Sequence, residues 1–181
     1  MKNFKNILVK NIGHGIISLK INDPKTYNSL STKTLTELLN TFKKLNNDRE
    51  AKVIILEGSG NGFSAGHNLK EVRGLKKRAK HLRLFTLCSK LMLQIVEGRK
   101  PVIAKVHGAA YAAGCQLVAS CDLAYSTNEA TFATPGVNIG LFCSTPMVAV
   151  SRKVNRKETM KMLLTGEPIK ANYAKEIGLI N

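Results

Sequence analysis

HGAAYAAGCQLVASCDLAYS, residues 107–126, decides how this chain is read. The run Pro101-Val102-Ile103-Ala104-Lys105-Val106 just before it reads as a buried strand that meets a glycine at Gly108. From Ala112 to Ser120 the residues are small and helical in pattern, and Leu123-Ala124-Tyr125 reads as a further strand. A strand, a turn of small residues, a helix and another strand in that order point to parallel pairing with the helix as crossover.

The same arrangement occurs upstream. Val53-Ile54-Ile55-Leu56 is a continuous apolar run too short for a helix, and it passes through Gly58-Ser59-Gly60-Asn61-Gly62 into Phe63-Ser64-Ala65-Gly66-His67-Asn68-Leu69-Lys70, which leads into helix. Between the two copies, Leu84, Leu87, Cys88, Leu91 and Ile95 mark a long helix that ends at Gly98. Before them, Leu35, Leu38, Leu39, Phe42 and Leu45 follow Ser31 at helical spacing, with Thr34 three residues ahead of Glu37, and predict an amphipathic helix of about four turns. Residues 4–10 and 15–21 predict a hairpin around Gly13-His14-Gly15. Downstream, Thr131-Phe132-Ala133 predicts a strand, and a helix opens at Asn155 and stops at Gly166. The pattern is α/β, with residues 1–181 as one domain. At Ile177-Gly178-Leu179-Ile180-Asn181 a helix stops and an apolar strand begins with nothing after it, so truncation is expected.

Composition narrows the classes. The opening MKNFKNILVKNIGHG holds no uninterrupted apolar stretch of signal-peptide length and lacks the Arg and Ser of a transit peptide, and no segment approaches the roughly 18 apolar residues of a membrane span. A cytoplasmic protein is expected. Cys88, Cys115, Cys121 and Cys143 form no CxxC pair and the histidines add no ligand spacing, so the cysteines are expected reduced and buried, with no metal. The net charge of +16 admits nucleic acid, an anionic membrane or a phosphorylated ligand without choosing, and heavy use of lysine, asparagine and isoleucine accounts for it equally well as compositional drift.

The two small-residue turns suggest chemistry. Backbone N–H groups at a helix N-terminus attract negative charge, and small side chains let a ligand oxygen approach. Two such turns converging make an oxyanion hole, which polarises a thioester carbonyl and stabilises its enolate; one donor typically contributes about 10²–10³ in rate. The plainer explanation is that Gly/Ala turns let strand and helix pack closely.

Taken together, DPKTYNSL at 23–30, GFSAGHNLKEV at 62–72, the stretch at 107–126 and TFATPGVNIGL at 131–141 resemble the crotonase, or enoyl-CoA hydratase/isomerase, superfamily, and within it the enoyl-CoA hydratase domain-containing branch. The resemblance implies a spiral of repeated β-β-α units, and a C-terminal helical region that in the family follows the point where this chain stops. It implies an acyl-CoA ligand linked to fatty-acid metabolism, coenzyme A entering as part of the substrate with no separate cofactor, and a homotrimer or hexamer. By motif position, the oxyanion amides are those of His67 and Ala113, and Lys25, Tyr27, Ala65, Asn68, Leu69 and Lys70 line the coenzyme A path.

The chain departs from the family at two places. The family's hydratases carry one glutamate after the Gly-Cys pair and one after the later proline, and here those positions hold Gln116 and Gly136. A glutamine amide does not shuttle protons near neutral pH and glycine has no side chain, while each general acid or base contributes about 10²–10⁴-fold. Ordinary hydration is therefore disfavoured. Ser144, where some family isomerases carry an acid, disfavours diene isomerisation as well. Other candidates for proton transfer are His67, Glu71, Asp122 and Cys115, although Asp122 is better read as a backbone tether and Cys115 as packing. Three readings follow: an enzyme acting through enolate stabilisation, an acyl-CoA binding protein without turnover, and an RNA-binding protein drawing on the cations from Lys70 to Arg83. The third is least favoured, since no aromatics interleave those cations.

Overall fold

The computed structural model describes residues 6–181, so the first two residues of the expected strand at 4–10 lie outside it. In chain order the elements are β1 (Ile7–Asn11), β2 (Ile16–Ile21), α1 (Thr32–Asn47), β3 (Val53–Gly58), β4 (Gly62–Ser64), α2 (Leu69–Gly74), α3 (Arg78–Val96), β5 (Val102–Val106), β6 (Ala109–Tyr111), α4 (Ala113–Ser120), β7 (Leu123–Ser126), β8 (Thr131–Ala133), α5 (Ser144–Val150), α6 (Arg156–Thr165), β9 (Ile169–Lys170) and α7 (Ala171–Glu176). The strands form two sheets, ordered β1-β2-β3-β5-β7 and β4-β6-β8-β9. β1 and β2 pair antiparallel as the expected hairpin, and β2, β3, β5 and β7 run parallel.

The expected spiral is visible in this division. Each coil gives a longer strand to the first sheet and a three-residue strand to the second before entering helix: β3 then β4, β5 then β6, β7 then β8. Of the three short strands, Thr131-Phe132-Ala133 is the one expected from the sequence; Gly62-Phe63-Ser64 and Ala109-Ala110-Tyr111 carry neither β-branched residues nor alternation and give no strand signal. Parallel pairing with the coils above and below creates these strands.

The core lies between the first sheet and the helices. Leu19, Ile21, Ile54, Leu56, Val102 and Ala104 are buried from the sheet, and Leu35, Leu38 and Phe42 of α1 and Leu91 and Ile95 of α3 are buried from the helices. Each such side chain removed from water contributes about 1.5–3 kcal/mol. α1 is capped by Ser31, whose hydroxyl accepts from the Thr34 amide at 3.1 Å. Thr34, paired with Glu37 in the sequence reading, is buried inside the first turn and receives a hydrogen bond from Asn6 Nδ2 at 3.0 Å. α3 begins at Arg78, earlier than its apolar markers from Leu84 onward. Asn155 caps α6 and Gly166 ends it in the left-handed region, as expected.

The expected C-terminal strand is not formed. α7 ends at Glu176, Gly178 turns the chain at φ 81°, and Leu179 and Ile180 bury themselves individually. Only Asn181 reaches the sheet, exchanging two 2.9 Å hydrogen bonds with the backbone of Ala124. All four cysteines are buried. Among the described residues no helix is long and apolar enough to cross a membrane.

Candidate functional site

The loop leaving β4 is held by a buried asparagine that the sequence reading passed over. Asn28 donates from Nδ2 to the carbonyls of Ser59 (2.8 Å) and Gly62 (2.7 Å), and its Oδ1 accepts from the Asp23 amide (3.0 Å). Its own carbonyl accepts from Ser64 Oγ at 2.9 Å, and the same hydroxyl accepts from the Gly66 amide at 3.2 Å. Tyr27 and Asn28 are both left-handed, with φ of 51° and 54°. Asparagine tolerates that region and tyrosine does not readily, so DPKTYNSL contained a turn signal that could have identified Asn28. Two further backbone bonds complete the frame, Ala65 N–H to the Tyr27 carbonyl (2.9 Å) and Leu30 N–H to the Gly66 carbonyl (2.7 Å).

The second turn joins β6 to α4. Ala112 sits at φ 49°, ψ −118°, a strained place for a non-glycine residue, and donates its amide to the Ala133 carbonyl at 2.9 Å. The two turns fit into each other at two glycines. A Cβ on Gly66, itself at φ 87°, would stand 3.0 Å from the Ala113 nitrogen and 2.9 Å from the Tyr111 carbonyl oxygen. A Cβ on Gly114 would stand 2.2 Å from the Ser64 carbonyl oxygen. This contact brings His67 and Ala113 together across successive coils of the spiral. Among the described residues, no protein group accepts a hydrogen bond from the amide of either one.

The His67 ring is fixed in place. Nδ1 lies 3.3 Å from the Leu30 carbonyl, which puts the proton on that nitrogen, and the ring meets Phe85 edge to face at 5.2 Å. Nε2 is buried with no hydrogen-bond partner among the described residues. Burial lowers the imidazole pKa, outweighing the Leu30 hydrogen bond and the Glu71 charge, so the ring is neutral at neutral pH.

Gln116 stands one turn into α4, 5% exposed, with Oε1 buried and without a protein partner among the described residues. It lines a cavity of about 460 Å³ between α3, α4 and α5, together with Met92, Leu93, Ala119, Thr145 and Ala149. Gly136 is closed to any side chain. A Cβ there would lie 2.5 Å from the Leu141 carbonyl oxygen and 2.8 Å from Cys143 Sγ, which accepts from the Gly136 amide at 3.3 Å.

The remaining sequence candidates divide. Lys25, Tyr27, Ala65, Leu69 and Lys70 are exposed, Tyr27 and Ala65 being joined by the backbone bond described above. Asn68 differs: its Oδ1 caps α2 by accepting from Glu71 at 3.0 Å and its Nδ2 donates to Ser29 Oγ at 3.3 Å, so its side chain is occupied. Glu71 accepts from the Thr32 amide at the start of α1 (2.9 Å), and Asp122 tethers the Val102 amide (2.7 Å). Cys115 is fully buried and its thiol is pushed up to about 12, which removes it as a thiolate at neutral pH.

Comparisons with known proteins agree in one direction. Residues 11–181 match the family model described as enoyl-CoA hydratase/isomerase. The chain is 47% identical over 167 residues to the human mitochondrial enoyl-CoA hydratase domain-containing protein 3, covering 92% of this chain and 55% of that protein. It is 47% identical over 168 residues to the Xenopus laevis counterpart, covering 93% and 57%. Among solved structures, an enoyl-CoA hydratase from Mycobacterium smegmatis superposes with a TM-score of 0.95 at 46% identity, covering 97% of this chain and 68% of that one. The human enoyl Coenzyme A hydratase domain-containing protein 3 superposes at 0.94 with 45% identity, covering 98% and 70%. The chain thus spans little more than half the length of the curated relatives it matches. Those relatives are named as mitochondrial, whereas the sequence reading expected a cytoplasmic protein.

Proposed function

The chain belongs to the enoyl-CoA hydratase/isomerase family, and from that premise we propose that it binds an acyl-CoA thioester and stabilises the enolate of its acyl group without the family's pair of glutamates. The observation that carries this reading is the interlock of Gly66 with Ala113, which leaves two neighbouring amides, His67 and Ala113, without a protein acceptor. A buried N–H costs free energy unless something accepts from it, and a thioester oxygen is an acceptor of the right kind. The acyl chain would then run into the cavity beside Gln116, whose walls at Met92, Leu93 and Ala149 are apolar. Lys25 and Lys70, both exposed, suit the phosphates of coenzyme A.

The test is incubation with a panel of acyl- and enoyl-CoA thioesters in deuterated water, followed by mass spectrometry, with calorimetric titration of the same ligands. Deuterium at the α-carbon supports enolate chemistry; absence of both binding and exchange would refute the proposal. A second reading, binding without turnover, is favoured by Gly136, where the Leu141 carbonyl occupies the space a carboxylate side chain would need. Tight binding without exchange decides for it.

A further inference from the structure

The strongest feature outside the site is the outward side of α3 and the segment leading into it. Residues 70–90 hold eight lysines and arginines against one acid, Glu71, which is engaged with the Thr32 amide. Lys76, Lys77, Arg78, Lys80, Arg83 and Lys90 are all exposed. Among the described residues none of them forms an ion pair, the two ion pairs present both falling on Glu57.

These charges surround apolar surface. The buried stripe of α3 is Leu84, Cys88, Leu91 and Ile95, while Ala79, Leu82, Arg83, Thr86 and Lys90 repeat at helical spacing on the other side. Leu82 is 66% exposed. An open groove of about 850 Å³ between α3 and the start of α1 is lined by Leu75, Leu82 and Leu87 beside Lys80, Arg83 and Lys90. A cationic helix face that also exposes leucines is matched by a surface offering both negative charge and hydrocarbon.

We propose that this face docks on an anionic lipid bilayer, with the cations of residues 76–90 over headgroup phosphates and Leu82 entering the acyl boundary. Nucleic acid fits less well. Phe85, the one aromatic residue in the segment, is turned against His67, so no base can stack, and exposed leucines gain nothing from a phosphate backbone.

Vesicle flotation tests this on the whole chain, comparing neutral phosphatidylcholine vesicles with vesicles that also contain phosphatidylserine. At least about tenfold more protein should float with the anionic vesicles, and the difference should shrink as salt rises. Leu82→Asn should lower the bound fraction about fivefold, and the combined Lys77→Gln, Arg78→Gln, Arg83→Gln variant should abolish binding. Lys70 is left untouched because it belongs to the proposed ligand path. Acyl-CoA titration of the same variants should be unchanged, so the two proposals fail separately. Flotation that is absent, or equal on neutral and anionic vesicles, overturns the inference. So does its abolition by free coenzyme A, which would assign the cations to the ligand's phosphates. Full binding by Leu82→Asn together with displacement by single-stranded RNA would assign them to a polynucleotide.

Discussion

Residue by residue, the site depends on space that side chains would occupy. Gly114→Ala would place a methyl 2.2 Å from the Ser64 carbonyl, a backbone atom that cannot rotate away. Overpacking of this kind costs about 1–3 kcal/mol, so denaturant titration should show a stability loss in that range, accompanied by weaker acyl-CoA binding. The double variant Gln116→Glu, Gly136→Glu should gain no hydratase activity in a crotonyl-CoA assay and should melt below the parent, because the Leu141 carbonyl already fills the Cβ position at 136. His67 makes stability depend on pH. Its pKa is lowered in the folded state, so as pH falls through the unfolded value near about 6.5 the unfolded chain takes up a proton first, and stability is lost down to the lower folded pKa. Melting temperatures measured from neutral pH down to about pH 5 should fall less steeply in His67→Gln than in the parent. Of these residues, Gly66, His67 and Ala113 were legible as motif positions. Asn28 offered only the turn signal of DPKTYNSL: beyond the nearby Asp23 amide, its partners Ser59, Gly62 and Ser64 lie 31–36 residues away, where no local pattern reports them.

Among the elements, helices and longer strands were legible, and of the three-residue strands only β8 was. α1 and α6 announce themselves through apolar spacing and capping residues at Ser31 and Asn155. Ser31→Ala should cost about 1 kcal/mol in denaturant titration by removing the hydroxyl that accepts from Thr34. β4, β6 and β8 have three residues each and pair with one another; Thr131 and Phe132 give β8 a local signal, whereas the glycine, alanine and serine of β4 and β6 give none. Leu179 and Ile180 show the converse error, in which an apolar run read as strand is satisfied by packing at single positions after α7. α3 combines both cases. Its inner stripe set the expected helix at Leu84, while the cationic turns from Arg78 look like loop when only apolar spacing is followed.

For the molecule as a whole, the fold follows from repetition of one unit, and the site from the contact between two copies of it. A chain with net charge +16 repels itself, and screening relieves that, so the melting temperature should rise as sodium chloride is raised through roughly 0.1 M, where the Debye length is about 10 Å. The interlock of the two glycine turns has a further consequence for how the protein comes into being. Neither coil holds both amides of the proposed site, because the His67 amide acquires Ala113 as a neighbour only when α4 has closed on β4. On the proposed function, a chain emerging from the ribosome therefore lacks the paired amides while the first coil stands alone. The pair is complete only when the segment through Gly114 has folded against β4, so ligand added during synthesis is predicted to act on molecules that have passed that point.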